Sequence, residues 1–238
     1  MVTRSLKNAS TVLLVRPDSN AKFEILLTRR PFEMKFMGGF YVFPGGSVGK
    51  EDWSERVLKR CRGLSAAQAQ KILGDHLSAE LSLAHWVAGL RELFEEVGIL
   101  LCVTEKGEEP NMGNEELARR VAQKRKALVA GSLDFGSFLE SEDFYCDLDR
   151  AVYFSHRTTP EIYPIRFDTR FYLASLPAGQ TALSRSEEVA DSLWIAPGQA
   201  LNQAAQRDLP LVPPTTLMLQ NLTAFDSWHS LCDRYRLR

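Results

Sequence analysis

Three glutamates lie close together in the stretch from Arg91 to Ile99, which reads RELFEEVGI. A helix would place Glu92, Glu95 and Glu96 on one face, because they are spaced by three and four residues. Crowded carboxylates repel one another by about 1 kcal/mol per pair in water and by more near a protein surface. A divalent cation would relieve this repulsion, and an all-oxygen ligand set favours Mg²⁺ or Mn²⁺ over zinc. The alternative is a solvated charged face without a ligand.

The same stretch predicts an amphipathic helix that would position these acids. Its apolar face is formed by Trp86, Leu90, Leu93, Phe94 and Val97. Gly98 suits the left-handed residue that follows a helix end. We expect the helix to begin after Ser78 or Ser82, either of which can cap it. His85 falls on the acidic side, where a polar surface or lid contact is favoured over a metal ligand.

A sharp turn, Phe43-Pro44-Gly45-Gly46, follows a predicted short strand. Glycines at a turn allow the backbone to approach a metal ion or a phosphate closely. Together with RELFEEVGI, the turn resembles the Nudix box, which reads Gly, five residues, Glu, seven residues, then Arg-Glu-aliphatic-x-Glu-Glu-x-Gly-aliphatic. The resemblance implies an α+β fold, an α/β/α sandwich with a mixed sheet between helices and the box at the active centre.

The spacing inside the box departs from the family pattern. Arg91 comes 31 residues later than the motif places it. Asp52 stands six residues after Gly46, where the box has glutamate, so the first acidic position is either shortened to Asp52 or lost. We expect a helical insertion at about 50–82. An interrupted box resembles one group of coenzyme A diphosphatases within the Nudix family.

Within that insertion, helical spacing predicts one helix from Trp53 to Cys61, ended by Gly63. Ser65 is expected to cap a second helix that runs through Leu73. The flanking chain predicts further elements by the same criteria. Strands are expected at 11–15, 23–28, 41–43, 99–103, 151–155, 165–174 and 193–195, and helices at 114–130, 135–140, 197–207, 213–224 and 225–237.

Two further segments resemble the coenzyme A diphosphatase branch more narrowly. Leu26-Leu27-Thr28 with Gly39-x3-Phe43-Pro44-Gly45-Gly46 fits one of its signatures, with Lys35 in the place of an arginine. That change keeps the charge and loses the bidentate fork. Thr159-Pro160, followed by Arg166-Phe167-Asp168-Thr169-x-Phe171, resembles a second signature. For Asp168, whose side chain would share a strand face with two arginines, we favour an internal ion pair.

The resemblance implies roles for particular residues. Metal ligands would be Glu92, Glu95, Glu96 and the carbonyl of Gly45. Arg91 would orient a box carboxylate rather than touch substrate, and Glu188, ahead of the Trp194 strand, would be a further catalytic acid or else a surface acid. The remaining phosphate charge and backbone contacts would fall to Arg29, Arg30, Lys35, Gly45, Gly46 and Arg166.

Other charged and apolar segments leave two interpretations open. Arg29 and Arg30 are either phosphate contacts or solvent-exposed cations. The basic run at 119–126 is interpreted as a solvated face, with a contact to a phosphorylated ligand as the alternative. The loop at 31–39, rich in Met, Phe and Gly, is interpreted as a mobile wall that folds over a ligand, or as side chains packed under the loop.

Composition indicates one domain over 1–238, with the insertion and C-terminal helices at about 197–238. Hydrophobic residues make up 45% and the net charge is −1, which argues against a nucleic-acid partner and an anionic membrane. No apolar run is long enough to span a bilayer. The four cysteines are scattered and expected to be reduced, which favours the cytoplasm.

These observations lead to one leading function and two alternatives. The leading hypothesis is metal-dependent hydrolysis of a nucleoside diphosphate-X substrate, with coenzyme A or acyl-coenzyme A cut to 3′,5′-ADP and (acyl)phosphopantetheine. The first alternative is hydrolysis of ADP-ribose, a dinucleotide or a sugar nucleotide. The second is a non-catalytic module that binds a nucleotide. The partner is thus a small nucleotide-type molecule, and a homodimer is left open.

Overall fold

The computed structural model describes residues 6–237. Its strands within that range are β1 Leu6–Pro17, β2 Phe23–Arg29, β3 Tyr41–Val42, β4 Gly45–Ser47, β5 Cys61–Arg62, β6 Cys102–Thr104, β7 Phe144–Asp147, β8 Val152–Thr158, β9 Arg166–Ser175 and β10 Asp191–Ile195. Its α-helices are α1 Glu55–Leu58, α2 Ala66–Leu73, α3 Ala79–Val97, α4 Glu115–Val129, α5 Phe135–Ser141, α6 Pro197–Ala205, α7 Pro213–Leu222 and α8 Trp228–Tyr235. Two 3₁₀ turns cover Lys50–Trp53 and Leu148–Arg150.

Seven strands form one mixed sheet, ordered β10-β2-β1-β9-β8, with β3 beside β2 and β4 beside β1. The central pair β1 and β9 is parallel, and the other pairs of this sheet are antiparallel. A second, three-stranded sheet has the order β5-β7-β6. The mixed sheet agrees with the expected Nudix architecture.

The central strand β1 is covered on both faces. Val12 and Leu14 pack into a cluster with residues of α3, whereas Leu13 and Val15 pack into a second cluster with residues of α6, α7 and α8. All four side chains are fully buried, as the continuous apolar run predicted. The α/β/α sandwich expected from the sequence is therefore confirmed.

Helix α3 begins after Ser78, the first of the two predicted N-cap residues. The Ser78 hydroxyl accepts a hydrogen bond from the Leu81 N–H, and Gly98 adopts the left-handed conformation (φ 75°) after the last turn. Ser82 lies inside the helix and donates its hydroxyl to the Ser78 carbonyl, so the alternative start was wrong. The predicted apolar face is buried, with each of its five residues no more than 2% exposed.

The insertion is only partly helical. Ser65 caps α2 as predicted. The helix expected from Trp53 to Cys61 was wrong, because the extended backbone of Ser54 separates a 3₁₀ turn from the single turn of α1. Cys61 lies in β5 instead, and its backbone pairs with that of Cys146 in the parallel strand β7. This strand pairing ties the insertion to the second sheet.

The elements after α3 follow the predicted order, and three of the described strands had been missed. The strands β4, β5 and β7 were not expected, because each has only two to four residues, too few for an alternating pattern to stand out. The structure also corrects the expected surface position of His85, whose side chain is fully buried with Nδ1 3.0 Å from the Ser10 hydroxyl. Among the described residues no helix combines the length and the apolar content that a bilayer crossing requires.

Candidate active site

Three carboxylates converge at one point of the structure. Glu92 and Glu96 lie one turn apart on α3, and Glu188 lies in the segment between β9 and β10. One carboxylate oxygen of each residue lies within 4.8 Å of those of the other two. Such a set of hard oxygen donors fits within the coordination sphere of Mg²⁺ or Mn²⁺.

The glycine turn gives these acids their immediate surroundings. The Gly45 N–H hydrogen-bonds the Glu96 carboxylate. A Cβ atom built on Gly46 would lie 2.4 Å from the Glu92 carboxyl group, so a side chain there would displace this acid. The requirement for glycine at Gly46 is therefore the close approach of Glu92, as the sequence suggested in general terms.

Arg91 fixes the acids through a buried network. Its Nε and Nη2 atoms donate to the two carboxylate oxygens of Asp52 at 2.7 and 3.0 Å. Its Nη1 atom donates to Glu92 at 2.9 Å and to Glu95 at 3.1 Å. The Asp52 carboxylate also accepts the Gly49 N–H. Asp52 therefore occupies the shortened first acidic position, and Arg91 is placed to orient carboxylates.

Glu95 is placed differently from its two neighbours on α3. Its carboxylate is engaged by Arg91, and it is absent both from the three mutually close acids and from the cavity lining. The physical reason is helix geometry, because a residue one position before Glu96 points about 100° away around the axis. The structure thus brings Glu92 and Glu96 together with Glu188, and leaves Glu95 beside them.

Electrostatics of the cluster favour a cation. Burial, with smaller contributions from the charges of Glu95 and Glu188, raises the pKa of Glu92 to about 7 against the lowering effect of Arg91. Burial, followed by Glu92 and Glu188, holds the pKa of Glu96 well above its usual value. Acids that ionise this reluctantly are poorly compensated by the protein itself. The donor set and its charge therefore fit a divalent metal ion.

A cavity of about 330 Å³ opens in front of the acids. Glu92, Glu96 and Glu188 form its polar end, and Gly45 and Gly46 line it too. Its apolar walls come from the loop at 31–39, from the residue after β3, from β9 and from the start of α7: Met34, Phe36, Met37, Phe43, Phe167, Phe171, Val212 and Pro214. The Phe36 and Phe167 rings lie 5.5 Å apart, so the loop closes against β9.

The predicted cationic contacts separate into two groups. Arg30 lines the cavity, and its Nε donates to the Phe36 carbonyl at 3.2 Å. Arg29 lies outside the lining, donates to the Gly39 carbonyl at 3.1 Å and stacks on Phe32 and Tyr41.

Lys35 and Arg166 fall in the second group, outside the cavity lining. Lys35 is exposed. Arg166 donates its Nε to the Thr159 carbonyl at 3.1 Å. The alternation of β9 explains this placement, because Phe167, Thr169 and Phe171 face the cavity while the intervening charged residues face the other way.

Two features of the site were missed or misread from the sequence. The aromatic face of β9 was overlooked, although the alternation that marks its charged face marks the cavity face equally. Asp168 pairs with Arg170 at 2.5 Å, as favoured. Arg125, assigned to a solvated face, is buried at 5% exposure. Its signal was present, since it lies at helical spacing between Val121 and Leu128, both buried.

The fold and the acids on α3 indicate a class of protein, and a solved structure with the same fold identifies that class. The crystal structure of a NUDIX hydrolase from Alicyclobacillus acidocaldarius aligns with a TM-score of 0.72, at 26% identity, over 96% of each chain. The protein has the fold of a Nudix hydrolase. A family model described as the NUDT19 Nudix domain matches residues 6–222, and the chain belongs to that family of Nudix hydrolases.

Curated relatives agree with this family. The chain is 27% identical over 234 residues to a putative nudix hydrolase 7 of Caenorhabditis elegans, covering 98% of this chain and 66% of the relative. It is 27% identical over 276 residues to the acyl-coenzyme A diphosphatase NUDT19 of Gallus gallus, covering 96% of this chain and 71% of the relative. The chain thus spans about two thirds of the length of these relatives.

Proposed function

We propose that this chain hydrolyses the diphosphate linkage of coenzyme A or acyl-coenzyme A, giving 3′,5′-ADP and (acyl)phosphopantetheine. The observation that carries the proposal is the cluster of Glu92, Glu96 and Glu188 at the polar end of a cavity with apolar walls. Its volume of about 330 Å³ lies in the range of small-molecule sites. A diphosphate at the acids would leave the attached organic group against the apolar walls.

The residues present fit Mg²⁺ or Mn²⁺, which would be held by Glu92, Glu96 and Glu188, with Glu95 and the carbonyl of Gly45 as the further ligands expected from the sequence. A metal ion bound here would supply charge neutralisation of the diphosphate and a lowered pKa for an attacking water. The protein's own contribution is to hold these acids in place before substrate arrives. Arg91, itself paired with Asp52, does this by bonding Glu92 and Glu95, and the Gly45 N–H does so by bonding Glu96.

Substrate binding is assigned to both ends of the cavity. Of the four cations expected to contact phosphate, Arg29, Arg30, Lys35 and Arg166, Arg30 is the one that lines the cavity. It is placed there to offset phosphate charge. Phe36 and Phe167 are placed to pack against the pantetheine arm or an acyl chain. A group packed against these rings would also help to exclude water from the diphosphate, which would strengthen electrostatic interactions there.

Support for coenzyme A over other diphosphates comes from the family and from the cavity walls. The chicken relative is an acyl-coenzyme A diphosphatase by name. The apolar wall around Phe36 and Phe167 suits the pantetheine arm better than the second ribose of ADP-ribose, which would present several hydroxyl groups. The four cysteines are free, which supports the proposed cytoplasmic setting.

The test is a direct competition between substrates. Purified protein with Mn²⁺ would be given coenzyme A, a medium-chain acyl-coenzyme A and ADP-ribose, and the products separated by chromatography. We expect 3′,5′-ADP from the first two at a kcat/KM at least tenfold above that for ADP-ribose. A preference for ADP-ribose would overturn the substrate assignment, and absence of any turnover would favour the non-catalytic nucleotide-binding module.

A further inference from the structure

The third acid of the cluster, Glu188, belongs to a segment without regular structure. Residues 176–190 connect β9 to β10 and form neither helix nor strand. A strand or helix would hold a side chain through its own ladder of hydrogen bonds, whereas this segment needs other anchors. Its two ends are tied to the large sheet, where the Leu176 N–H donates to the Val15 carbonyl at 2.8 Å and the Ala190 N–H donates to the Arg29 carbonyl at 2.9 Å. Three further anchors lead to the carboxyl end of α3 and to the residues after it.

Two of these anchors bind backbone groups at the end of the helix and just after it. The Gln180 amide group donates to the Leu100 carbonyl at 2.9 Å and accepts the Leu100 N–H at 2.8 Å. The Leu183 N–H donates to the Val97 carbonyl at 2.9 Å. They fix the first half of the segment and end five residues before Glu188.

The third anchor is Arg125 of α4. One nitrogen of its guanidinium donates to the main-chain carbonyl of Glu95, and the other donates to the Glu187 carboxylate at 2.9 Å. Glu95 lies next to Glu96, and Glu187 lies next to Glu188. Arg125 therefore joins the main chain of α3 at Glu95 to the Glu187 side chain, and these two residues are the neighbours of acids on opposite sides of the carboxylate cluster.

We propose that Arg125 is a positioning residue of the metal site, which sets the distance between Glu188 and the acids of α3. This inference rests on the proposed metal-dependent function. A planar guanidinium with two fixed donors can bridge both acceptors, whereas a lysine ammonium is a point donor on a flexible stem. Partners that orient metal ligands typically contribute 10- to 100-fold to metal affinity.

The experiment measures Mn²⁺ binding by the substrate-free protein, using the free Mn²⁺ signal in electron paramagnetic resonance. We expect Arg125→Met to weaken Mn²⁺ binding by about tenfold or more. Glu187→Gln should weaken it less, Arg125→Lys should fall between wild type and Arg125→Met, and the double variant should match Arg125→Met. Arg120→Met is the matched control, because Arg120 is on the same helix and pairs with Glu142 away from the segment.

A second readout separates positioning from general stability. Hydrogen exchange of the metal-free protein should show faster exchange at Leu183 and Glu188 in Arg125→Met, with the core amides of β1 unchanged. Glu187→Gln provides the same readout if Arg125→Met does not fold. If Arg125→Met binds Mn²⁺ within twofold of the Arg120→Met control and its hydrogen exchange is unchanged, the positioning role of Arg125 is wrong, while the proposed metal site stands. A wild-type chain that binds no Mn²⁺ would overturn the proposed metal site as well.

Discussion

Asp52 and Arg91 form a buried ion pair in which two guanidinium nitrogens donate to the two oxygens of one carboxylate, at 2.7 and 3.0 Å. The Asp52 side chain is fully buried, and that of Arg91 is 9% exposed. The pair joins the 3₁₀ turn at the start of the insertion to the centre of α3. It explains how a family motif tolerates an interruption, because the two residues meet in space although 39 positions separate them in sequence.

Loss of this pair should destabilise the protein strongly. Asp52→Ala removes the main partner of a buried guanidinium, and such losses cost about 3–5 kcal/mol. We therefore expect the free energy of unfolding to fall by about 3 kcal/mol in urea denaturation. Glu51→Ala, an exposed neighbour, is the control and should change it by less than about 0.5 kcal/mol. Equal effects of the two substitutions would contradict the structural role of Asp52.

The acids of α3 should differ in their effect on turnover. Glu96→Gln removes a proposed ligand, and we expect kcat with Mn²⁺ to fall roughly 100-fold or more. Glu95→Gln should reduce kcat by about tenfold, a smaller loss, because Glu95 pairs with Arg91 and lies outside the three mutually close acids. Circular dichroism would check that both variants are folded. A larger loss for Glu95→Gln than for Glu96→Gln would reverse the ligand assignment.

The metal-free protein should lose stability as pH rises. The pKa of Glu92 is raised to about 7 in the folded state, above its ordinary value of 4.5, so the folded state holds this proton where the unfolded state has released it. Folding is then penalised increasingly between pH 4.5 and 7, and the penalty is complete above about pH 7. The elevated pKa of Glu96 acts in the same direction.

Thermal unfolding in a chelator at pH 5, 6, 7 and 8 would measure this dependence. Glu92→Gln should flatten the decline relative to wild type, because it removes the titrating group. Saturating Mn²⁺ should also flatten it, since metal binding favours the ionised acids. A wild-type stability that rises from pH 5 to pH 7 in chelator would contradict the electrostatic description of the site.

Gly46 should be intolerant of even the smallest side chain. A Cβ atom there would lie 2.4 Å from the Glu92 carboxyl group, so Gly46→Ala must displace a proposed metal ligand. We expect Mn²⁺ affinity and kcat each to fall by about tenfold or more. Gly198→Ala is the matched control, because a Cβ at that helical position meets no atom within 4 Å. Unchanged Mn²⁺ binding in Gly46→Ala would contradict a role in metal binding for the close approach of Gly46 to Glu92.

Local patterns predicted much of the fold and part of the site. The cap at Ser78, the apolar face of α3 and the buried run of β1 follow from spacing and side-chain type, which act within one element. The length of α1 and the pairing of Cys61 with Cys146 depend on a strand 85 residues away, which no local pattern encodes. Glu188 was proposed by resemblance, and its approach to Glu92 depends on anchors contributed by α4 and by the residues after α3.

The parallel pairing of β1 with β9 joins Leu6 to Arg166 and extends to Val15 and Ser175. Contacts this distant along a chain form slowly, because a long loop must close first. During synthesis, a nascent chain that has already released the whole Nudix box still lacks β9 and the carboxylate of Glu188. The family signature and a complete cation site are therefore separated in time, and a fragment cut after α5 would display the signature without the proposed activity.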